Sequence, residues 1–150
     1  MLTDSEFWNY IARVDLRALD RGDEEGAVLP VQTALLAETE ARLAEFEEAL
    51  AQKLYALDGE VYAQNAGESG ESDDAFLYAR LYVVAKGRDF YEMIRLNPKK
   101  MPKSVDQWCE ALLYVHKYAW ETLTGRSVSE WPFSPTVSYE SGSNPELWSN

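Results

Sequence analysis

The chain has 150 residues and a net charge of −12, enough length for one domain that buries roughly 70% of the surface its unfolded form exposes. A single cysteine, Cys109, and a single histidine, His116, exclude a Cys/His zinc site or a disulfide framework within one chain, and the negative charge argues against a nucleic-acid partner, whose phosphates it repels. The charge is uneven: residues 1–75 hold 18 acids against 5 bases, a balance of −13, and residues 76–150 hold 8 against 9, a balance of +1.

The amino-terminal residues have neither the basic start nor the apolar run of a signal peptide, and no segment approaches the ~20 apolar residues of a membrane span, so the expected location is cytoplasmic. Thr3 and Glu6 have capping-box spacing, and Phe7, Trp8, Ile11 and Val14 recur on one face, which predicts a first helix from Asp4 to about Leu19. Asp20 to Gly26 reads as an exposed connection, and Pro30 as the start of a short helix through Leu36. From Glu38, Leu43, Phe46, Leu50, Leu54, Leu57 and Val61 recur at spacings of three and four between glutamates, predicting one long amphipathic helix. Gly59 inside it implies a closely approaching neighbour or a bend. Asn65 to Ser72, with two glycines, then breaks the helix.

Between Ala75 and Ala85 every residue but Arg80 is apolar or aromatic, so a helix here has no polar face and must be covered all round. Ser72 is a good N-cap, Asp73 and Asp74 meet the helix dipole, and Gly87 marks a stop or a bend. A further short helix carries Phe90, Tyr91, Ile94 and Leu96 and ends at Asn97, before Pro98. Ser104 and Gln107 again have capping-box spacing and predict the start of a last long helix with Trp108, Leu112, Val115, Ala119 and Leu123 on one stripe, ending at Gly125. Beyond it, three of the six prolines accompany Trp131, Phe133, Tyr139 and Trp148. So aromatic and aperiodic a segment predicts irregular structure laid across helices. The expectation is a single all-α domain, residues 1–125, in an orthogonal or bundle-like arrangement of five to six helices around a buried central helix at about 73–86, with an irregular C-terminal tail, residues 126–150, packed on it.

The chain resembles a bacterial family, domain of unknown function 4240, in Phe7-Trp8 with Ile11, in the acidic helix ending in Tyr62, and in Gly70 leading to Ser72-Asp73-Asp74. The resemblance continues through Phe76, Tyr78-Ala79-Arg80, Gly87-Arg88, Tyr91 and Asn97-Pro98, over roughly the first two-thirds of the chain. The family pattern usually has a Leu-Trp pair and a Gly-Gly-Cys before Ser-Asp-Asp; here Leu57-Asp58 and Gly70-Glu71 stand in those places. The resemblance implies an all-α fold and no assigned activity.

Among residues with chemistry, adjacent Asp73 and Asp74 on a glycine-flanked loop suit a divalent cation or acid–base work, or equally a capped helix start; the spacing is not that of an EF-hand loop. Arg80, a permanent charge inside an apolar helix, demands a carboxylate or several carbonyls, with Asp73, Asp58 and Glu60 as candidates; a functional alternative is an anion site lined by Arg80 and Arg88. Ser72, Asp73, Asp74, Arg80 and Arg88 are therefore the candidate functional cluster. His116 with Cys109 makes a poor dyad, Gly67-Glu68-Ser69-Gly70 misses the nucleophile elbow by one position, and Lys86, Arg88, Arg95, Lys99, Lys100 and Lys103 read as a solvated basic edge. No resident metal or cofactor is expected. The favoured function is a non-enzymatic acidic helical module, of regulatory or toxin-neutralising type, that binds a basic protein partner. The alternative is a small enzyme or ligand-binding domain that binds an anion or divalent metal at the Ser72 cluster.

Overall fold

A computed structural model describes residues 1–149. Among these the chain forms eight α-helices: α1 (Asp4–Ile11), α2 (Leu16–Asp20), α3 (Glu24–Leu35), α4 (Glu40–Ala56), α5 (Glu60–Gln64), α6 (Asp73–Ala85), α7 (Arg88–Leu96) and α8 (Val115–Thr124). Short 3-10 turns fall at Gly67–Glu71, Pro98–Lys100, Glu110–Tyr114 and Val128–Glu130. No strand occurs among the described residues. The all-α expectation holds, with more and shorter helices than five to six.

α6 is the centre. Ten of its thirteen residues are buried, Arg80 among them, and it packs on α4, α7 and the turns at 67–71 and 110–114. Ser72 caps it as expected, its hydroxyl accepting the Ala75 N–H at 3.1 Å. The second packing unit pairs α3 with α8 and with the Glu110–Tyr114 turn, and α4 bridges the two units by touching both α6 and α8.

The extra helices arise where local side-chain or tertiary bonds win over helical periodicity. The first predicted helix stops at Ile11 because Asp15 caps a new one: its carboxylate accepts the Arg17 and Ala18 N–H groups, and its own N–H donates to Ala27 O at 2.9 Å. The charged run expected as a connection is in part the start of α3. Asp23 caps Gly26 N–H, and Glu24 and Glu25 occupy the first turn, where the dipole favours them. Pro30 accordingly lies inside α3 rather than at its start, on the exposed face where the carbonyl it leaves unpaired can meet water.

The long acidic helix ends at Ala56, and Gly59 is the N-cap of α5 instead of an interior residue. The reason is a close approach: a Cβ at Gly59 would stand 2.8 Å from the Cβ of Leu147. The last helix begins at Val115, not Ser104. Ser104 N–H does donate to Gln107 Oε1, but Cys109 N–H donates to Tyr78 O at 3.1 Å and the Trp108 indole donates to Ser69 Oγ at 2.8 Å. These cross-links to α6 and the 67–71 turn hold residues 104–109 away from helical geometry. Of the predicted stripe, Leu112, Val115 and Ala119 are buried, and Leu123 is exposed. Gly125 ends α8 in the left-handed conformation, φ +72°.

Past the Val128–Glu130 turn the chain has no regular structure, yet from Trp131 to Ser143 its residues alternate strictly between partly buried odd positions and exposed even ones. That period of two marks a segment lying with one edge on a surface, largely extended up to the bends at 136–137 and 140 and the turn at 141–142.

Candidate functional site

Ser72, Asp73 and Asp74 open α6 at the surface and are all exposed. Arg88 opens α7, one full α6 length away, roughly 18 Å at 1.5 Å per residue, and its nearest ion partner is Asp4 at 3.9 Å. No hydrogen bond or ion pair among the described residues joins Arg88 to the other four. Arg80 turns inward. It is 0% exposed, its Nη1 donates to Leu54 O at 3.0 Å, its Nη2 donates to Ser141 Oγ at 2.9 Å, and the Ser141 hydroxyl in turn donates to Asp73 O at 2.7 Å. Asp73 thus meets Arg80 through its carbonyl and the tail, not through its carboxylate. The guanidinium carbon lies 4.6 Å from the centre of the Phe76 ring, and Nε has no partner among the described residues. Burial brings the Arg80 pKa down to about 10, opposed by the carboxylates of Asp58, Glu140 and Asp73. The side chain keeps its charge at neutral pH.

The strongest of those opposing charges, Asp58, is also 0% exposed, and it forms no ion pair with Arg80 within 4 Å. It binds the tail instead. Oδ1 accepts from Gly142 N–H at 2.9 Å and from the Trp148 indole at 2.9 Å, and Oδ2 accepts from Ser143 N–H at 2.7 Å and Asn144 N–H at 3.0 Å. Asn144 Nδ2 donates to Tyr55 O, Glu60 N–H donates to Leu147 O, and the Trp148 ring stands edge-on to Phe76. Gly142, at φ +88°, permits the turn that aims three successive amides at one carboxylate. Arg80 and Asp58 are each satisfied chiefly by neutral dipoles, and the tail closes the pocket that contains both.

A second buried polar group lies under the tail. His116 Nε2 is 2.8 Å from Glu47 Oε2, and Glu47 Oε1 accepts the Trp131 indole N–H at 3.1 Å. Both members are almost wholly buried, the His116 ring is flanked by Phe46 and Trp131, and Lys117 Nζ stands 4.0 Å from Glu47. Burial lowers the His116 pKa, with the Glu47 bond opposing, so the neutral ring donates from Nε2 and leaves Nδ1 bare. Cys109 is fully buried and its thiol is pushed up to about 12 by that burial. With His116 bonded to Glu47 and the thiol protonated, the two do not form a nucleophilic pair.

The open concavity is elsewhere. Between α3 and residues 110–118 runs a trough of about 760 Å³, with Asp23, Glu24, Glu25 and Glu110 among its walls and Leu29, Tyr114 and Tyr118 along its floor and rim. Through Gly22 and Glu24 it adjoins a smaller hollow of about 380 Å³ bounded by Asp20, Asp106, Val105 and Trp108. Leu29 is 55% exposed, and Tyr118 and Val105 are each 44% exposed. Of the six carboxylates only Asp23 has an ion partner among the described residues, Arg21 at 3.6 Å. Glu24 accepts the Ala111 N–H and Glu110 accepts the Tyr114 hydroxyl. No group of three or more Asp, Glu, His or Cys side chains among the described residues is arranged to hold a metal ion. The trough was missed in the sequence because its two walls are about 80 residues apart, although the unpaired acids of 20–25 were visible there.

An acidic all-helical protein whose inner charges are closed off and whose open face is carboxylate-lined is the class that fold and site define. The chain belongs to the family described as "Protein of unknown function (DUF4240)", whose model matches residues 2–122. No curated protein and no solved structure matches it. The family match runs beyond the two-thirds carried by the sequence motifs, through most of α8, and stops short of the tail.

Proposed function

We propose that this protein is a non-enzymatic interaction module that binds a basic protein segment, cytoplasmic in location, with the α3–α8 trough as its contact surface. The observation that carries the reading is the combination, across the trough and the hollow that adjoins it, of five carboxylates without an ion partner and three exposed apolar side chains, Leu29, Val105 and Tyr118. Elsewhere the acids are often tied up: Arg42 reaches Glu6, Glu38 and Glu45, and Lys53 reaches Asp4. Unpaired like charges repel one another and persist at little cost only where solvent or a cation screens them. Apolar side chains among them suit a segment that is basic and amphipathic rather than a small cation. Enclosure of Arg80 beneath the tail and the distance of Arg88 weigh against a charged-ligand site at Ser72, Asp73 and Asp74. The helices carry no stretch long and apolar enough to cross a membrane among the described residues.

The test titrates isotopically labelled protein with a synthetic peptide of alternating arginine and leucine pairs and follows backbone amide shifts. Shifts concentrated at residues 20–32 and 105–118, lost with Glu25→Lys, Leu29→Ser and Glu110→Lys together, and weakening steeply between low and high salt, are the expected result. Shifts spread evenly over the acidic surface, or unaffected by the triple substitution, would sink the reading.

A further inference from the structure

The tail is attached in the manner of a peptide ligand. From Trp131 to Ser143 it runs as irregular chain with bends at 136–137 and 140, a turn at 141–142 and alternate residues partly buried, pairs with no strand among the described residues, and is anchored by groups the helical body presents to it: Glu47 to the Trp131 indole, Glu48 to Thr136 N–H and hydroxyl, Arg80 to Ser141, and Asp58 to three amides and the Trp148 indole. Backbone bonding to the helices is limited to Glu60 N–H and Leu147 O. Between residues 126 and 149 only Asn144 is fully buried. Trp131, Tyr139 and Trp148 pack on the core while staying partly exposed, and a segment with one buried residue and few backbone bonds to the helices opens locally at a lower free energy than the helices unfold. The pocket it would leave is not an apolar face that collapses. It holds a carboxylate and a guanidinium already positioned by α4, α6 and the 57–59 connection, and the Arg80 Nε is unpartnered even with the tail in place.

We propose that the Asp58–Arg80 surface is a binding site for an extended peptide of the tail's own pattern, a Ser-Gly-Ser-Asn turn followed by a tryptophan, and that the tail of a second copy of this chain can occupy it in exchange for the first. The recognition is specific. Three consecutive N–H groups on one carboxylate need the left-handed glycine at 142, and the indole N–H reaches the same carboxylate only if the chain turns back through Asn144 and Leu147. Contacts made in cis and in trans are identical, so the cis tail differs from a donated one only in its effective concentration. Masking by the attached tail keeps the site closed in the lone chain, and the exchange is independent of the trough.

The experiment uses the full chain and a fluorescent synthetic peptide of residues 127–149. In a chain with Asn144→Ala and Trp148→Ala the attached tail is weakened, and the peptide is expected to bind at least tenfold more tightly than to the wild type. The same peptide carrying Trp148→Ala is expected not to bind, and adding Asp58→Asn to the weakened chain is expected to reduce affinity at least tenfold. Equal binding to wild type and weakened chain, or binding that survives Asp58→Asn, overturns the proposal. Should the weakened chain lose its helical circular dichroism, the wild type decides alone. A peptide with a photoreactive benzoylphenylalanine in place of Tyr139 is expected to cross-link to it at millimolar concentration and to fail when it also carries Trp148→Ala. Absence of that difference overturns the proposal equally.

Discussion

The Asp58–Arg80 pocket and the α3–α8 trough hold charges in opposite circumstances. In the pocket both charged side chains are out of solvent, and every carboxylate oxygen of Asp58 has two donors. In the trough and its adjoining hollow five of six carboxylates lack an ion partner among the described residues, and none of the six is buried. A desolvated charge must be met by the protein's own dipoles or it destabilises the fold by several kcal/mol, whereas a solvated one costs little and remains free to meet a partner. The pocket is therefore where substitutions should report on folding, and the trough is where they should report on binding.

The strongest test of that contrast is Asp58→Ala. It strips the acceptor from three amides and an indole and removes the largest favourable charge near Arg80, so a loss of about 3–5 kcal/mol is expected in urea unfolding, with an unchanged slope if the native state stays intact. Arg80→Ala belongs to the same range, because it frees Leu54 O and Ser141 and opens a void beside Phe76. Arg80→Met, which fills most of the void but frees the same Leu54 O and Ser141, should cost less than alanine by the cavity contribution alone. Equal losses for alanine and methionine would mean that the guanidinium's bonds, not its bulk, hold α6 to the tail.

The pocket also shows how far the sequence could be read. Arg80 stood out as a charge in an apolar helix, and its need for carbonyls or a carboxylate followed from burial alone. Its partners did not: Leu54 O belongs to a backbone with no special residue, and Ser141 lies 61 positions away in a tail that shares no helical period with Arg80. The central helix was legible because eleven residues with one polar member admit a single interpretation. The breaks at Ile11, Ala56 and before Val115 were not, since each depends on a tertiary bond or approach, from Asp15 to Ala27, from Gly59 to Leu147, and from Cys109 to Tyr78. The Glu47–His116 pair was hidden for the same reason, with each residue looking like an ordinary member of an amphipathic helix.

That pair yields a pH test of the tail's second anchor. Burial holds the His116 pKa below its ordinary value, so between about 6.5 and the folded value the unfolded chain binds a proton that the native chain does not. Stability from this group is complete above about pH 6.5 and is lost as the pH falls through that window. The urea midpoint of the wild type should decline from pH 7.5 to 5.5 more steeply than that of His116→Gln. Parallel profiles would show that Glu47 accommodates the imidazolium, making this buried site as permissive as a solvated one.

A smaller effect is expected at Gly59, where the backbone is extended, φ −149°, and therefore open to any residue. Only Leu147 stands in the way. Gly59→Ala should cost roughly 1 kcal/mol by overpacking, and a Leu147→Gly background should abolish that cost, since it removes the offending Cβ. Persistence of the full cost in the double variant would place the strain in α5 and not in the tail.

The smallest expected change in folding comes from the trough. Asp20 is the last residue of α2, where a carboxylate faces the negative end of the helix dipole, and it has no ion partner among the described residues; its neighbours around the hollow include Glu24 and Asp106. Asp20→Lys removes one repelling charge and places a cation where the dipole favours it, so the melting temperature should rise, by roughly 1 °C. The same substitution should weaken the basic peptide, because it sets a lysine beside the path of the incoming arginines. Opposite signs for stability and affinity are what a surface kept acidic for a partner predicts. A substitution that lowered the melting temperature and left the peptide's affinity unchanged would make the trough part of the folded structure's own charge balance and remove the argument for a basic occupant.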